Sequence, residues 1–227
     1  MAKLTRVRLN QFWEMWRSEG FSSVIKKAVF FNKVVIPAVK DLSALPPLKS
    51  PAASDVEFVE IREDTFQPDR WTFPSKSRLM RVSKNFRKGY RGFGVVKGGE
   101  VVGDIWYCTQ GAPGSPWRHP DLEWFAWFGV ELGEKELYMF EMYVKPEERG
   151  GGLVNYLHGS ALKALREKGF EKVYGYCTAD NIPALWVHRT LGYKELGRLH
   201  MHRLFSLTRR SLKGKPRRVM YRLFDLS

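Results

Sequence analysis

Residues 137–154 read Leu-Tyr-Met-Phe-Glu-Met-Tyr-Val-Lys-Pro-Glu-Glu-Arg-Gly-Gly-Gly-Leu-Val, and this stretch constrains the chain more than any other. Leu137 to Val144 is apolar and aromatic apart from Glu141, which predicts a strand. Pro146 has no backbone donor and ends the ladder. Gly150, Gly151 and Gly152 follow. Beyond them Leu153, Tyr156, Leu157, Ala161, Leu162 and Leu165 recur at spacings of three and four, a helical period. The order is therefore strand, turn, glycine run, helix. The first N–H groups of a helix have no partner within it, and its dipole favours anions there. Glycines let a ligand come close to the backbone. A pyrophosphate fits such a site, although a glycine run after a strand serves equally as a plain tight turn.

The spacing narrows the choice. Val144-x-Pro146-x-x-Arg149-Gly150-Gly151-Gly152 resembles the acetyl-CoA-binding motif of the GNAT superfamily of N-acetyltransferases, Arg/Gln-x-x-Gly-x-Gly/Ala, often preceded by Val-x-Pro. Arg149 and Gly152 match, whereas Val154 stands where a Gly or Ala is usual. Downstream, Asn181-Ile-Pro-Ala184-Leu-Trp-Val-His188-Arg-Thr-Leu191-Gly192-Tyr193 is similar to the family's Asn-x-x-Ala-x-x-x-Tyr-x-x-x-Gly-Phe. The two motifs occur in the family's order. The resemblance covers residues 56–225 and leaves residues 1–50 outside.

The resemblance implies a reaction and a set of roles. An acetyl group from acetyl-CoA, or another acyl group from its acyl-CoA, passes to a small-molecule primary amine by direct attack, without a metal. The backbone of Met142, Tyr143 and Val144 would hold the pantetheine arm. Arg149, Gly150, Gly151, Gly152, Leu153 and Val154 would take the pyrophosphate, with the β-branched Val154 narrowing the site. Asn181 would cap the helix that follows it or bind the coenzyme. His188 stands where many relatives carry a tyrosine that protonates the leaving thiolate; an unperturbed histidine titrates near neutrality and is able to donate a proton.

Acyl transfer to an amine requires a neutral amine, a donor for the oxyanion and an acceptable leaving group. Glu141 is the candidate base. Strand alternation places it on one face with Met139 and Tyr143, and its apolar neighbours predict partial desolvation; pairing with one of the many arginines is the alternative. Tyr174, Tyr176 and Thr178 share a face of the next expected strand, so Tyr176 and Thr178 are candidate acceptor-binding residues. The loop with Trp117, Arg118, His119 and Asp121, followed by Trp124 and Trp127, offers rings that would stack on a sugar or fill a core. The two cysteines, Cys108 and Cys177, fit neither a metal spacing nor a disulfide framework and read as core residues in a reducing compartment.

The formal net charge is +14, a statement about partners rather than about fold. Between Arg70 and Arg91 there are eight cations and no acid, and between Arg198 and Arg218 the same holds. These blocks suit a solvated face, an anionic substrate, coenzyme phosphates or a membrane surface; no finger, homeodomain or RNA-recognition signature points to nucleic acid. No signal peptide is read at the N-terminus and no apolar run reaches about 18 residues. The expected location is cytoplasmic, with peripheral contact at the inner face of a membrane through a basic amphipathic helix as one option. No feature specifies an oligomeric state.

Along the chain, helices are expected over 5–19 and 21–35, a short strand over 34–42, and a linker at Leu45-Pro-Pro-Leu-Lys-Ser-Pro51. This divides the chain into an N-terminal extension with linker, 1–50, and an acyltransferase-like domain, 51–227. Within the domain the reading is strand 56–61, helix 75–88, a hairpin of strands 92–96 and 101–109, strand 137–144, helix 152–168, strand 172–178, helix 183–190, and two final strands over 193–205 and 216–225 joined by a basic turn. The fold class is α/β (α+β): a mixed, largely antiparallel sheet flanked by helices, with a central βαβ unit and an N-terminal helical extension. That segment before a Leu-Pro-Pro linker is similar to GNAT-like proteins of surface-polysaccharide synthesis, which makes an amino sugar an expected acceptor. A non-catalytic acyl-CoA-binding or regulatory module, using the basic faces for a membrane or protein partner, is the competing reading.

Overall fold

The computed structural model describes residues 30–48, 55–64, 66, 70–110, 119, 121–204, 207–212 and 220–223. In chain order the elements are β1 (Phe30–Asp41), β2 (Val56–Ile61), α1 (Lys76–Arg87), β3 (Arg91–Lys97), β4 (Glu100–Thr109), α2 (Leu122–Ala126), β5 (Glu136–Val144), a 3-10 turn (Pro146–Glu148), α3 (Leu153–Glu167), β6 (Lys172–Thr178), α4 (Ile182–Thr190), β7 (Lys194–Glu195), β8 (Leu199–Leu204), β9 (Leu207–Leu212) and β10 (Met220–Leu223). The strands form one sheet in the order β10-β9-β8-β1-β6-β5-β4-β3-β2, with β7 also on β1. Every pairing is antiparallel except β5 with β6, the two strands that α3 connects. This is the mixed, largely antiparallel sheet with a central βαβ unit that the pattern predicts.

Helices cover both faces. On one, α3 buries Leu153, Leu157, Ala161, Leu162 and Leu165 against Phe93, Val95, Val102, Ile105, Leu137, Met139 and Val173. On the other, Val82 and Phe86 of α1 and Leu122 and Phe125 of α2 pack on Ile61, Val101, Trp106, Tyr138 and Tyr174. Helix α1 starts at Ser75, whose hydroxyl accepts from the N–H of Arg78, an N-cap. Helix α3 stops at Gly169, whose φ of +87° suits a residue without a Cβ.

Three expectations are corrected. The helix over 21–35 is strand from Phe30 onward, because Val34, Val35 and Ile36 are β-branched and the sheet offers partners on both edges of β1. The boundary at residue 50 falls with it: β1 lies between β6 and β8, so the sheet draws on residues of the supposed extension. The basic turn between two final strands contains β9, whose backbone pairs with β8 from Leu199↔Leu212 to Leu204↔Leu207. Charge conceals a strand whose register is set by backbone pairing. The expected helix over 5–19, and the first part of the expected helix over 21–35, for which membrane contact was considered, lie outside the described residues. Among the described residues no helix is long and apolar enough to cross a membrane.

Two irregularities position the site. Strands β5 and β6 pair only at Glu136↔Lys172, Leu137↔Val173 and Tyr138↔Tyr174, and then part. On its other edge β5 stays paired with β4 as far as Gly103↔Val144, but the register shifts: Tyr143 faces Asp104 and Phe140 faces Trp106, so Glu141 and Met142 stand against Ile105 alone. This is a β-bulge. Glu141 takes a φ of +56°, the one positive value among the described non-glycine residues.

Candidate active site

The fork between β5 and β6 opens into two adjoining cavities that share Met142, Asn181 and Ala184. The larger, about 750 Å³, is bordered by the end of β5, the glycine turn and the first turns of α3 and α4. The smaller, about 240 Å³, enters the fork itself.

The larger cleft holds most of the residues expected to bind a coenzyme: Met142, Tyr143, Val144, Arg149, Gly150, Gly152, Val154 and Asn181 all line it. Gly152 is the N-cap of α3 with φ +82°, and no side chain caps the helix. A Cβ built on Gly150, Gly151 or Gly152 would meet nothing within 4 Å. The turn thus leaves open space in front of uncapped helix N–H groups, with no acidic residue in the first turn. Arg149 is anchored by its Nε–H, which donates to the Val144 carbonyl at 2.9 Å. Leu153 is a core residue, so its contribution to an anion site is its backbone. Val154 is half-buried and packs on the core while still bordering the cleft.

Six further lining residues, Asn155, Ile182, Pro183, Ala184, Trp186 and Val187, were not among the expected site residues. Ile182 and Trp186 are exposed apolar side chains, 64% and 62% accessible, at the border of the cleft. Asn155 also lines it, with a buried Oδ1 that lacks a partner. The cleft therefore offers uncapped N–H groups, a guanidinium, an unpaired amide oxygen and an apolar wall. This set fits a long coenzyme with an anionic pyrophosphate and an amide-bearing arm.

The smaller cavity collects the other candidates. Glu141, His188, Tyr176 and Thr178 line it, with Ile105, Met139, Met142, Gly175 and Cys177. The bulge corrects the expected face of Glu141. Met139 and Met142 pack on the α3 side and Phe140 on the α1 side, so alternation breaks between them. The Glu141 carboxylate turns to α1, where it accepts from Arg78 Nη1 at 3.1 Å and lies 3.0 Å from Arg81 Nε. It is thus both a cavity residue and the member of an arginine pair, the alternative raised by the sequence. Arg78 also grips Asp104, donating to it through Nε at 2.8 Å and through Nη2. Asp104 has no solvent exposure and accepts in addition from the Trp106 indole at 2.7 Å. Trp117 lies outside the described residues.

Asn181 is the N-cap of α4, its Oδ1 accepting from the N–H of Ala184 at 3.2 Å, while it borders both cavities. His188 stacks on Tyr193, with ring centroids 4.4 Å apart and 14° between planes. Burial pulls its imidazole down to about 4, well below the near-neutral value of an unperturbed histidine, so at neutral pH it is uncharged. His158, on α3, was not anticipated. Its Nε2 lies 2.8 Å from the Tyr193 hydroxyl, it is buried, and burial holds it at about 3. The sequence did carry a signal: His158 precedes Ala161, Leu162 and Leu165 by three, four and seven positions, on the apolar stripe of α3.

Cys177 borders the same cavity, but burial pushes its thiol up to about 11, which leaves no thiolate near pH 7. Replacing Cys177 with alanine is expected to change turnover less than about twofold and to leave it insensitive to iodoacetamide; loss of acyl transfer in Cys177→Ala would show an acyl-enzyme instead.

Residues 56–193 match the Acetyltransferase (GNAT) family. Among curated proteins, the mycothiol acetyltransferase of Saccharomonospora viridis is 35% identical over 96 residues, 42% of this chain and 27% of that protein. The mycothiol acetyltransferase of Clavibacter sepedonicus is 34% identical over 74 residues, 33% of this chain and 24% of that protein. The chain thus matches about a quarter of the length of these relatives. Among solved structures, a GCN5-related N-acetyltransferase from Sphaerobacter thermophilus superposes with a TM-score of 0.50 at 14% identity, covering 80% of this chain and 55% of that one. The fold is shared with that structure, and by the match over residues 56–193 the chain belongs to the GNAT acetyltransferase family.

Proposed function

We propose that this protein is an N-acyltransferase that moves an acetyl group from acetyl-CoA to a primary amine by direct attack. The observation that carries the reading is the meeting of two cavities at one bulged strand: a glycine-lined helix start on one side of Met142, and a carboxylate in the fork on the other. The coenzyme supplies an activated thioester. Gly150–Gly152 and the N–H groups of α3 hold its pyrophosphate, Arg149 adds a positive charge, and the unpaired edge of β5 from Met142 to Val144 offers backbone groups to its arm.

Glu141 takes the proton released when the amine nitrogen bonds to carbon. Its position is fixed by Arg78 and Arg81, so the bulge and the ion pairs together hold one carboxylate at the border of the fork cavity. Thr178 and Tyr176, with Phe140, give the cavity hydroxyl groups and ring surface. That mixture suits a hydroxylated amine, and an amino sugar is the acceptor class proposed. The names of the curated relatives support acetyl transfer to a small molecule.

The test is calorimetry with acetyl-CoA, followed by turnover with a panel of amines that includes amino sugars and simple alkylamines. Micromolar binding and turnover of amino sugars are expected. Binding with turnover confined to other amines would remove the acceptor class and keep the reaction. Glu141→Gln is expected to lower kcat by about 10²–10⁴, the range of a general base, with acetyl-CoA affinity unchanged. A Glu141→Gln enzyme of full activity would remove the assigned role.

A further inference from the structure

Helix α1 brings a row of polar side chains to the border of the fork, and neither the coenzyme nor the acetyl group calls for it. Arg81, Asn85 and Lys88 stand at i, i+4 and i+7, with Lys88 as the C-cap residue, and so share one side of the helix. Arg81 reaches the Glu141 carboxylate through Nε at 3.0 Å, and Glu141 lines the fork cavity. Among the described residues Arg81 makes no other ion pair, its Nη nitrogens have no hydrogen-bond partner, and its side chain is 31% accessible.

Lys88 belongs to the same group. Its Nζ is 5.8 Å from the centre of the Tyr90 ring, which packs edge-on at 5.1 Å against Phe140, a lining residue of the fork cavity. Burial, and then the charge of Arg81, pull its ammonium below the ordinary lysine value. Between the two cations in the row, Asn85 is 3% accessible, and its amide nitrogen is buried without a hydrogen-bond partner among the described residues. The Tyr90 hydroxyl is in the same condition. Buried donors are rarely left so unless a water or a ligand oxygen completes them. Asp121, whose charge acts on Tyr90, accepts from the Tyr138 hydroxyl at 2.8 Å.

The reaction changes the charge beside this row. When the amine nitrogen bonds to the acyl carbon, the C–S bond breaks with its electron pair on sulfur and the amine proton goes to Glu141. Glu141 is then neutral. Arg78 keeps Asp104, but Arg81 has no second carboxylate among the described residues. A half-buried guanidinium that loses its counter-ion raises the energy of the step unless the substrate brings an anion.

We propose that the acceptor is an amine that carries an oxyanion, a phosphate or a carboxylate, which Arg81 and Lys88 hold at the border of the fork while Asn85 and Tyr90 donate to it. The inference rests on the acyltransferase reading above and adds to it the charge of the substrate. A guanidinium offers paired N–H groups in the plane of an oxyanion, and a second cation on the same side of the helix strengthens the selection against a neutral amine. The same cations oppose an ammonium, so they favour the neutral amine that attack requires.

The experiment measures kcat/KM on the full chain, at saturating acetyl-CoA, for matched amines: ethanolamine against phosphoethanolamine, galactosamine against galactosamine 1-phosphate, and propylamine against β-alanine. The charged member of a pair is expected to be preferred by about 100-fold, and the pairs that show it tell phosphate from carboxylate. Arg81→Gln is expected to lower that ratio at least about tenfold, the strength of a hydrogen bond to a charged group, and Lys88→Met about fivefold. A row that merely positions Glu141 would slow both members of a pair together and leave the ratio as it was. Equal turnover of charged and neutral amines by the wild type, or a preference that survives both substitutions, would overturn the inference and leave acyl transfer standing. Turnover of none of these amines would overturn the acyltransferase reading as well.

Discussion

Replacing Asp104 with alanine is expected to destabilise the protein by about 3–5 kcal/mol, the cost of breaking a buried ion pair from one side. Asp104 is fully buried on β4 and receives the Arg78 guanidinium through both oxygens and the Trp106 indole through one. Its removal leaves Arg78, 11% accessible, with Glu141 as its remaining carboxylate, and leaves a buried indole N–H unpaired. For a chain of this size the midpoint of thermal unfolding should drop by roughly 2–4 °C for each kcal/mol. The effect should reach the site as well, because Arg78 bridges Asp104 and Glu141 and stacks its guanidinium over Tyr143 at 5.0 Å. A double change, Asp104→Leu with Arg78→Met, should recover much of the stability, since an apolar pair removes both charges together. It should not recover turnover, because Glu141 would have lost one of its two anchors. Thermal scans and kcat on the three proteins check this, and an Asp104→Ala protein as stable as the wild type would refute the account of the network.

The second large effect concerns binding. Gly152→Trp is expected to weaken acetyl-CoA by at least about 100-fold. The residue sits at φ +82° with open space before it, so an indole would fill the region where helix N–H groups meet the pyrophosphate. Part of the change is backbone strain, about 1–2 kcal/mol for a side chain in the left-handed region. Gly169→Trp isolates that part: Gly169 has φ +87° and open space too, but closes the far end of α3. It should lose similar stability and keep its affinity. Calorimetry on both variants separates strain from occlusion. Equal affinity in Gly152→Trp and the wild type would move the coenzyme off this turn.

How much of this was legible in the sequence depends on which physics sets each feature. The glycine turn, the β3–β4 hairpin through Lys97-Gly98-Gly99-Glu100 and the stop at Gly169 are local, because backbone freedom and proline chemistry act within a few residues. The cleft residues from Met142 to Val154 were named through the resemblance that this turn carries, not through backbone chemistry alone. The bulge at Glu141 was not. The run from Leu137 to Val144 alternates no differently there, and the extra residue exists only against β4, so the predicted face of Glu141 was wrong. The strand expected over 34–42 accounts for most of β1, but its start at Phe30 was hidden because apolar residues near Val24 and Val29 carry helical spacing, while its partners lie far along the chain. His158 was overlooked because a histidine on an apolar stripe usually reads as a satisfied core residue. Only the fold brings it to Tyr193, 35 positions away.

The placement of β1 also sets the order in which the molecule can be assembled. Strand β6 is held to β5 by three residue pairs, but to β1 by seven, from Val35↔Thr178 to Asp41↔Lys172. The width of the fork is thus governed by a strand from the beginning of the described chain, and the pairing of Phe30 with Leu204 spans most of it. Closing so long a loop costs entropy before any contact repays it, so these pairings form late and slowly. Until they do, β6 presents an open edge to other chains, and the crevice beside it has no fixed shape. Competence to take up the coenzyme should therefore arrive after most of the backbone has already ordered, with β1 as the final clasp.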